Sequence, residues 1–580
     1  MSTTHNLRNL PHIFKRKYLP PQFQVQNWNS VEPFYRDLDQ RVLQGPDELK
    51  TWLDDFNELT DVLQEEAEIR YVQMTCQTDN PEIEKLFLEF IQEIAPLEKK
   101  YNFILLQKYW NSPARRLLNT NQYDLFNRTV ENQLSLYRES NIPLETQLEQ
   151  LSQQYQKITG SLTITYDQKE QTLQEMSRYL ESPNRLIRDE VWHLITQRRL
   201  KEKHTLNHLF DQMLKLRTTI SQNAGFQNFR DYSFKLKERF DYSPEDCERF
   251  HSSIEKTVLP LVKKIQLRRM KKMKLDTLRP WDLGVDPLGR PPLHPFDQIE
   301  QLIKQCDQIL QALSPTLSHQ FQTMIQLGLL DLQSRKGKAP GGYNTMFSES
   351  RLPFIFMNAV GLDQDLRTLL HESGHAMHAF ASRTISFSPY QHAPMEFCEV
   401  ASMSMELLGN QFLHYCYPNP SDAIRSQIDH FEHIVLLFPW IALVDAFQHW
   451  IYLHPDQTAQ DRSKQWLILW KKFSGLENWD GLEDALESHW HRQLHIFEVP
   501  FYYIEYGIAQ LGALQVWKNT RQHFEDGLHS FLEGLAVGGS LPLPEIFQKA
   551  GIRFNFEEPL LADLMNEISL ELDRLESLVS

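Results

Sequence analysis

The chain has 580 residues, 41% of them hydrophobic, and a formal net charge of −16. Such a length can bury a large core and calls for more than one lobe. The negative balance argues against nucleic acid and anionic membrane surfaces as partners, because both reward a basic patch. Met1 to Pro21 carries charges but no apolar stretch of signal-peptide length. Pro46 to Ala67, Leu144 to Ile158 and Asp167 to Arg199 hold helix formers with apolar residues at three- and four-residue intervals, which predicts helices. With only 21 glycines and few alternating stretches, the expected fold class is mainly α. A division near residue 200 is expected, giving an N-terminal helical lobe (1–200) and a second part (201–580). Lys263, Lys264, Arg268, Arg269, Lys271 and Lys272 form the densest basic run, at the spacing of a solvated helix face. The proline-rich segment from Leu278 to Pro295 is irregular, and Trp281 and Leu283 make it a docked loop rather than a linker.

Lys338-Ala339-Pro340-Gly341-Gly342-Tyr343 precedes one of the few strand-like runs, Leu352 to Asn358. A short hairpin is expected there, whose edge an extended peptide can pair with; Gly341 and Gly342 permit close approach. A plain turn after Pro340 is the alternative.

His371-Glu372-Ser373-Gly374-His375 follows, an H-E-x-x-H pattern. On a helix, residues i and i+4 share a face, so both imidazoles can reach one Zn²⁺ while the intervening Glu372 stands ready to take a proton from water. Asp363 offers an N-cap. Leu366, Leu369, Leu370, Met377 and Phe380 make an apolar stripe, with His371, His375 and His378 roughly opposite. Gly374 in the helix interior costs about 1 kcal/mol against Ala, which points to close backbone approach by another element.

A catalytic zinc takes three protein ligands and leaves one position open. Pro394 to Leu408 is expected to be a helix with Pro in its first turn, and Glu396, Glu399 and Glu406 are the candidates. Glu399 and Glu406 share a face, so one can ligate while the other orients a histidine; Glu396 is expected to face water and Cys398 to be a buried thiol. Ile434 to Leu453 is the most hydrophobic stretch, but Pro439, Asp445 and His449 interrupt it, so a buried helix is expected. Further on, His495 precedes Tyr502, Tyr503 and Tyr506. Tyr503 and Tyr506 lie i, i+3 on a predicted helix, and donors so placed can stabilise an oxyanion; Tyr502 is the alternative to Tyr503. The five cysteines, Cys76, Cys247, Cys306, Cys398 and Cys416, lack CxxC spacing. They fit a reducing, cytoplasmic compartment, and no cysteine zinc site is expected.

His371-Glu372-x-x-His375, followed by Glu399-Val400-x-Ser402 and Glu406, resembles the thimet oligopeptidase and oligoendopeptidase F family of zinc metallopeptidases, above all its bacterial oligoendopeptidase F branch. Trp52-Leu53-Asp54-Asp55, Glu65-Glu66-Ala67, Met74-Thr75-Cys76, the Lys338–Tyr343 and Pro353–Asn358 segments, and His495-x-x-x-x-Pro500-Phe501-Tyr502-Tyr503-Ile504-Glu505-Tyr506 extend the likeness over nearly the whole chain. The resemblance implies one zinc per chain on His371, His375 and Glu399, with Glu372 as general base and Glu406 behind the ligands. It implies that His495 and the tyrosines reach over the metal, and it implies a two-lobed body with a deep substrate channel. His378 is carried as a supporting residue, and Gly341, Gly342, Tyr343 and Tyr502 as substrate contacts. The implied activity is hydrolysis of internal bonds in short unfolded oligopeptides. The alternatives are an exopeptidase, for which Arg351 is a candidate anchor of the chain terminus, and a peptide-binding protein without activity. Oligomeric state is not written in the sequence.

Overall fold

The computed structural model describes residues 7–579 apart from Lys336 and Pro340, with backbone only at Thr120, Asn121 and Gln153. Pro340, which precedes the expected turn, therefore lies outside the described residues. The fold is mainly α, as expected. Among its many helices and few strands are α1 (Pro46–Cys76), the hairpin β1 (Thr163–Tyr166) and β2 (Lys169–Thr172), α2 (Pro244–Met273), β3 (Leu330–Gln333), β4 (Tyr343–Phe347) and β5 (Leu352–Ala359). Helices α3 (Asp363–Ser382), α4 (Met395–Gly409), α5 (Pro420–Leu453), α6 (Tyr503–Gln522) and α7 (Glu558–Val579) follow. The chain forms two compact units, each made of three separate stretches. Unit 1 comprises Met1–Glu139, Pro295–Pro418 and Gly512–Phe554; unit 2 comprises Ser140–His294, Asn419–Leu511 and Asn555–Ser580. Residue 200, the expected division, falls inside unit 2.

In unit 1, α1 starts with Pro46 at its first position, where the missing N–H is not needed. The Glu48 carboxylate accepts from the N–H groups of Gln44 and Gly45 (2.7 and 3.0 Å). Leu49, Trp52, Leu53, Phe56, Leu59, Val62 and Leu63 recur at helical spacing and are all buried, and the Trp52 indole donates to Leu38 O. Strands β3, β5 and β4 form a sheet in that order, β5 parallel to β3 and antiparallel to β4. The expected hairpin is thus β4–β5; its parallel neighbour β3, four residues long, is too short to show a strand pattern in sequence. The central β5 is buried at seven of its eight residues, and α3 packs against it.

In unit 2, α5 is long and apolar enough to cross a membrane by length and composition, but 72% of its most apolar window is buried inside the protein. It packs against α2 and α7, as a core helix does. The docked loop is also present: Trp281 is buried, and the fully buried Asp282 accepts from the guanidinium groups of Arg185 and Arg188. The basic run on α2 differs from expectation. Lys264 and Arg268 pair with Asp573 on α7, Lys272 pairs with Glu576, and Arg269 is buried with its guanidinium on Asp282 O. Acids on α7, 300 residues downstream, supply partners that helical spacing alone cannot reveal.

Candidate metal centre

The site of unit 1 is built on α3 and α4. At the start of α3, Asp365 rather than Asp363 takes the capping role: its Oδ2 accepts from the N–H groups of Val360, Gly361 and Leu362 at 2.8–2.9 Å. Asp363 is instead bonded by the Tyr417 hydroxyl (2.5 Å). Leu366, Leu369, Leu370 and Met377 are at most 1% exposed, so the apolar stripe seats α3 in the core. Helix α4 crosses α3 at Gly374, where a β-carbon would stand 2.5 Å from both Ala401 O and Ser402 Cα. This is the close approach that the interior glycine predicts. It brings the histidines of α3 level with the acids of α4.

His371 Nε2 lies 3.3 Å and His375 Nε2 3.6 Å from Glu399 Oε2. One donor atom from each of the three residues falls within 4.8 Å of the others. Two donors on one ion at about 2.0–2.1 Å in tetrahedral geometry stand about 3.3–3.4 Å apart, so the two nitrogen-to-oxygen separations fit a shared metal. Behind them, Glu406 Oε1 lies 2.7 Å from His371 Nδ1, which fixes the ring so that Nε2 faces Glu399. Ser402 donates to Glu399 Oε2 (2.9 Å). Sequence reasoning gave Ser402 no role, although its place three residues beyond Glu399 on one helix was a usable signal. Burial alone would lower the His371 pKa; Glu399 and Glu406 reverse this and raise it well above its ordinary value. Burial pushes His375 down to about 4, leaving a neutral ring with a lone pair to offer.

Glu372 is 7% exposed and its Oε2 has no hydrogen-bond partner. Burial, the largest influence, together with the Glu399 and Glu406 charges, raises its pKa to about 7 against the opposing pull of His371. Asn344 on β4 donates to the Glu372 backbone carbonyl (3.4 Å), tying strand to motif.

Other candidates sit elsewhere. His378 is buried against the Phe397 ring (5.8 Å between centroids) with its Nε2 unpartnered, and burial lowers its pKa to about 3. Glu396 is buried, not solvent-facing, because α4 is enclosed on nearly every side. Cys398 is half-buried and its thiol donates to Ala393 O. Tyr343 is stacked on Phe356 with its hydroxyl 2.6 Å from Thr75 Oγ1. Gly341 has φ +95°, and Gly342 packs near the Phe356 carbonyl and Thr368. Arg351, at φ +57°, spends its guanidinium on the Arg383 and Ile385 carbonyls and is 5% exposed, so it offers no open anchor for a peptide terminus.

In unit 2, His495 lies 5.1 Å from the Tyr503 ring, 5.6 Å from Tyr502 and 5.7 Å from Tyr506, centroid to centroid. The Gln493 amide donates to His495 Nδ1 (2.7 Å), and His495 Nε2 faces the Tyr506 hydroxyl at 3.4 Å. The Tyr503 hydroxyl accepts from Trp440 Nε1 (3.0 Å), and burial raises its pKa to about 12. The candidate side chains are therefore gathered locally, both tyrosine registers included.

Residues 178–566 match the family described as peptidase family M3, and residues 20–137 match the peptidase M3 N-terminal domain. The chain is 23% identical over 436 residues to oligopeptidase PepF of Bacillus subtilis, covering 71% of this chain and 61% of that protein. It is 23% identical over 385 residues to an oligoendopeptidase F homolog of Borreliella burgdorferi, covering 62% of this chain and 61% of that protein. The match spans about three fifths of the length of these relatives. Among solved structures, PZ peptidase A with inhibitor 2 superposes with a TM-score of 0.89 at 27% identity, covering 96% of this chain and 99% of that one.

Proposed function

The chain belongs to peptidase family M3, and from that premise we propose that it is a zinc-dependent oligoendopeptidase cutting internal bonds of short unfolded peptides. The observation that carries this reading is the juxtaposition of three donors at metal-sharing distance, His371, His375 and Glu399, with the buried and unpartnered carboxylate oxygen of Glu372. A donor set of two imidazoles and one carboxylate leaves a coordination position open, whereas structural zinc sites are usually closed. Zinc held there supplies Lewis-acid polarisation of a carbonyl and makes water a better nucleophile at neutral pH.

The remaining steps belong to the chain's own side chains. Glu372 accepts the proton of the attacking water on its free oxygen and returns it to the leaving amine, as a general base that then acts as acid. Glu406 holds His371 in one orientation, and Ser402 steadies Glu399. We assign His495, Tyr503 and Tyr506 to the oxyanion as hydrogen-bond donors, with Tyr502 beside them; support comes from the motif and from the local gathering of the four rings. Backbone pairing of an extended peptide along the sheet edge β4, entered through Gly341 and Gly342 and flanked by Tyr343, is the proposed source of sequence-tolerant binding.

The test is cleavage of an internally quenched peptide of about nine residues by wild type and Glu372→Gln, with zinc content and product masses read for both. Internal cuts by wild type and an inert, metal-loaded Glu372→Gln are expected. Cuts confined to one end would reassign the chain as an exopeptidase. Intact peptide in the presence of bound zinc would leave a peptide-binding protein.

A further inference from the structure

Unit 2 contains a second cluster of metal-binding side chains that the proposed reaction does not use. Cys247 and His251 stand four residues apart on α2, and Asp445 and His449 four residues apart on α5. Each pair therefore shares one helix face, and the two helices pack against each other. One donor atom each from Cys247, Asp445 and His449 falls within 4.8 Å of the others. All four residues are at most 5% exposed, and Asp445 is fully buried.

The bonding inside the cluster is incomplete. His251 Nε2 lies 2.8 Å from Asp445 Oδ2, a full hydrogen bond. His449 Nε2 is 3.2 Å from the same oxygen, an ion-pair contact, while His449 Nδ1 and Asp445 Oδ1 have no hydrogen-bond partner. Two buried polar atoms without partners are costly in an interior. The shell around them gives no relief: the His449 ring meets Phe501 and Phe234 edge-on, and His251 meets Phe473.

We propose that Cys247, Asp445 and His449 bind a second divalent metal ion of the zinc class in the interior of unit 2, with His251 holding the other oxygen of Asp445. Charge balance favours it. The Cys247 thiol gives up its proton on binding, and thiolate and carboxylate then neutralise a 2+ ion while the imidazole stays neutral. A neutral assembly is one that a dry aromatic shell tolerates. A thiolate selects soft or borderline ions such as zinc over magnesium or calcium. An ion held there would tie α2 to α5, since Cys247 lies on one helix and Asp445 and His449 on the other. The sequence hides it because the donors arrive as two i, i+4 pairs, with His251 and Asp445 194 residues apart, and not as CxxC.

The test uses the full chain, stripped by a chelator and reloaded with Co²⁺. The His371, His375 and Glu399 set contains no sulfur, so a thiolate-to-cobalt charge-transfer band in the near ultraviolet reports the second site alone. Two cobalt ions per chain with that band are expected. Cys247→Ser should lose the band and one ion, while Glu399→Gln should lose one ion and keep the band. One ion per chain carrying the band would support this site and count against the catalytic one. A wild-type protein without the band overturns the proposal, as does a band that survives Cys247→Ser and disappears in Cys398→Ser. Should Cys247→Ser fail to fold, the wild-type spectrum and the retained band of Glu399→Gln still decide.

Discussion

A β-carbon on Gly374 would stand 2.5 Å from the carbonyl oxygen of Ala401, so α3 and α4 touch backbone to backbone where the candidate ligands converge. In an isolated helix Gly374→Ala would gain about 1 kcal/mol. Here the obstacle is main chain, which cannot rotate aside, and overpacking of this kind costs about 1–3 kcal/mol. Gly374→Ala is therefore expected to lower stability in urea titration and to reduce bound zinc, because separating the helices moves Glu399 away from His371 and His375. A variant more stable than wild type with full metal content would contradict this.

That glycine also marks how much the sequence disclosed. The motif helix was readable because its apolar stripe and its histidines obey a 3.6-residue period, and an interior glycine there implied a crossing partner. The partner's depth was not: Glu396 is buried because α4 is enclosed by elements from distant stretches, which no local pattern encodes. Capping at Asp365 instead of Asp363 depended on which carboxylate could reach three N–H groups at once. The ion pairs of the basic run and the donors around Asp445 come from segments hundreds of residues apart. For the same reason the interleaving of the two units along the chain left no trace in composition or periodicity.

The Glu406 carboxylate lies 2.7 Å from His371 Nδ1. Removing such a partner typically costs about 10–100-fold in metal affinity. Glu406→Ala is expected to show a loss of that size in competition with a chromophoric chelator. Glu406→Gln, whose amide oxygen can still accept from Nδ1–H, should lie between it and wild type. Equal affinity in all three proteins would remove Glu406 from the site.

Tyr506 faces His495 Nε2 at 3.4 Å and its ring is half-buried, so its hydroxyl can go without disturbing the core. Tyr506→Phe is expected to lower kcat by about 10²–10³-fold with KM little changed, as for a donor that acts in the transition state. Thermal unfolding should be unaltered. Tyr503→Phe is a harder case, since it also deprives the Trp440 indole of one acceptor; part of its loss should appear as lower stability.

Acid stability should carry the mark of Glu349. Its carboxylate is gripped from both oxygens by Arg16 (2.5 and 2.7 Å), and His12 Nδ1 lies 3.3 Å away. Burial by itself would raise the Glu349 pKa, but Arg16 and His12 together hold it at about 2, against an ordinary 4.5. A carboxyl depressed on folding stabilises the native state fully above its unfolded value and loses that contribution as pH falls. The window therefore runs from about pH 4.5 down to about pH 2, and the depression corresponds to roughly 3 kcal/mol at neutral pH. His12 acts in the opposite sense: its pKa is raised, chiefly by the Glu349 hydrogen bond, so its contribution is complete below about 6.5 and fades as pH rises through the raised value. Urea titrations of wild type and Glu349→Gln at about pH 6, 4.5 and 3 separate these effects from the background of other carboxyls. The stability gap between the two proteins should be largest near pH 6 and shrink towards pH 3. A gap independent of pH would mean that Arg16 and Glu349 contribute packing and hydrogen bonds alone.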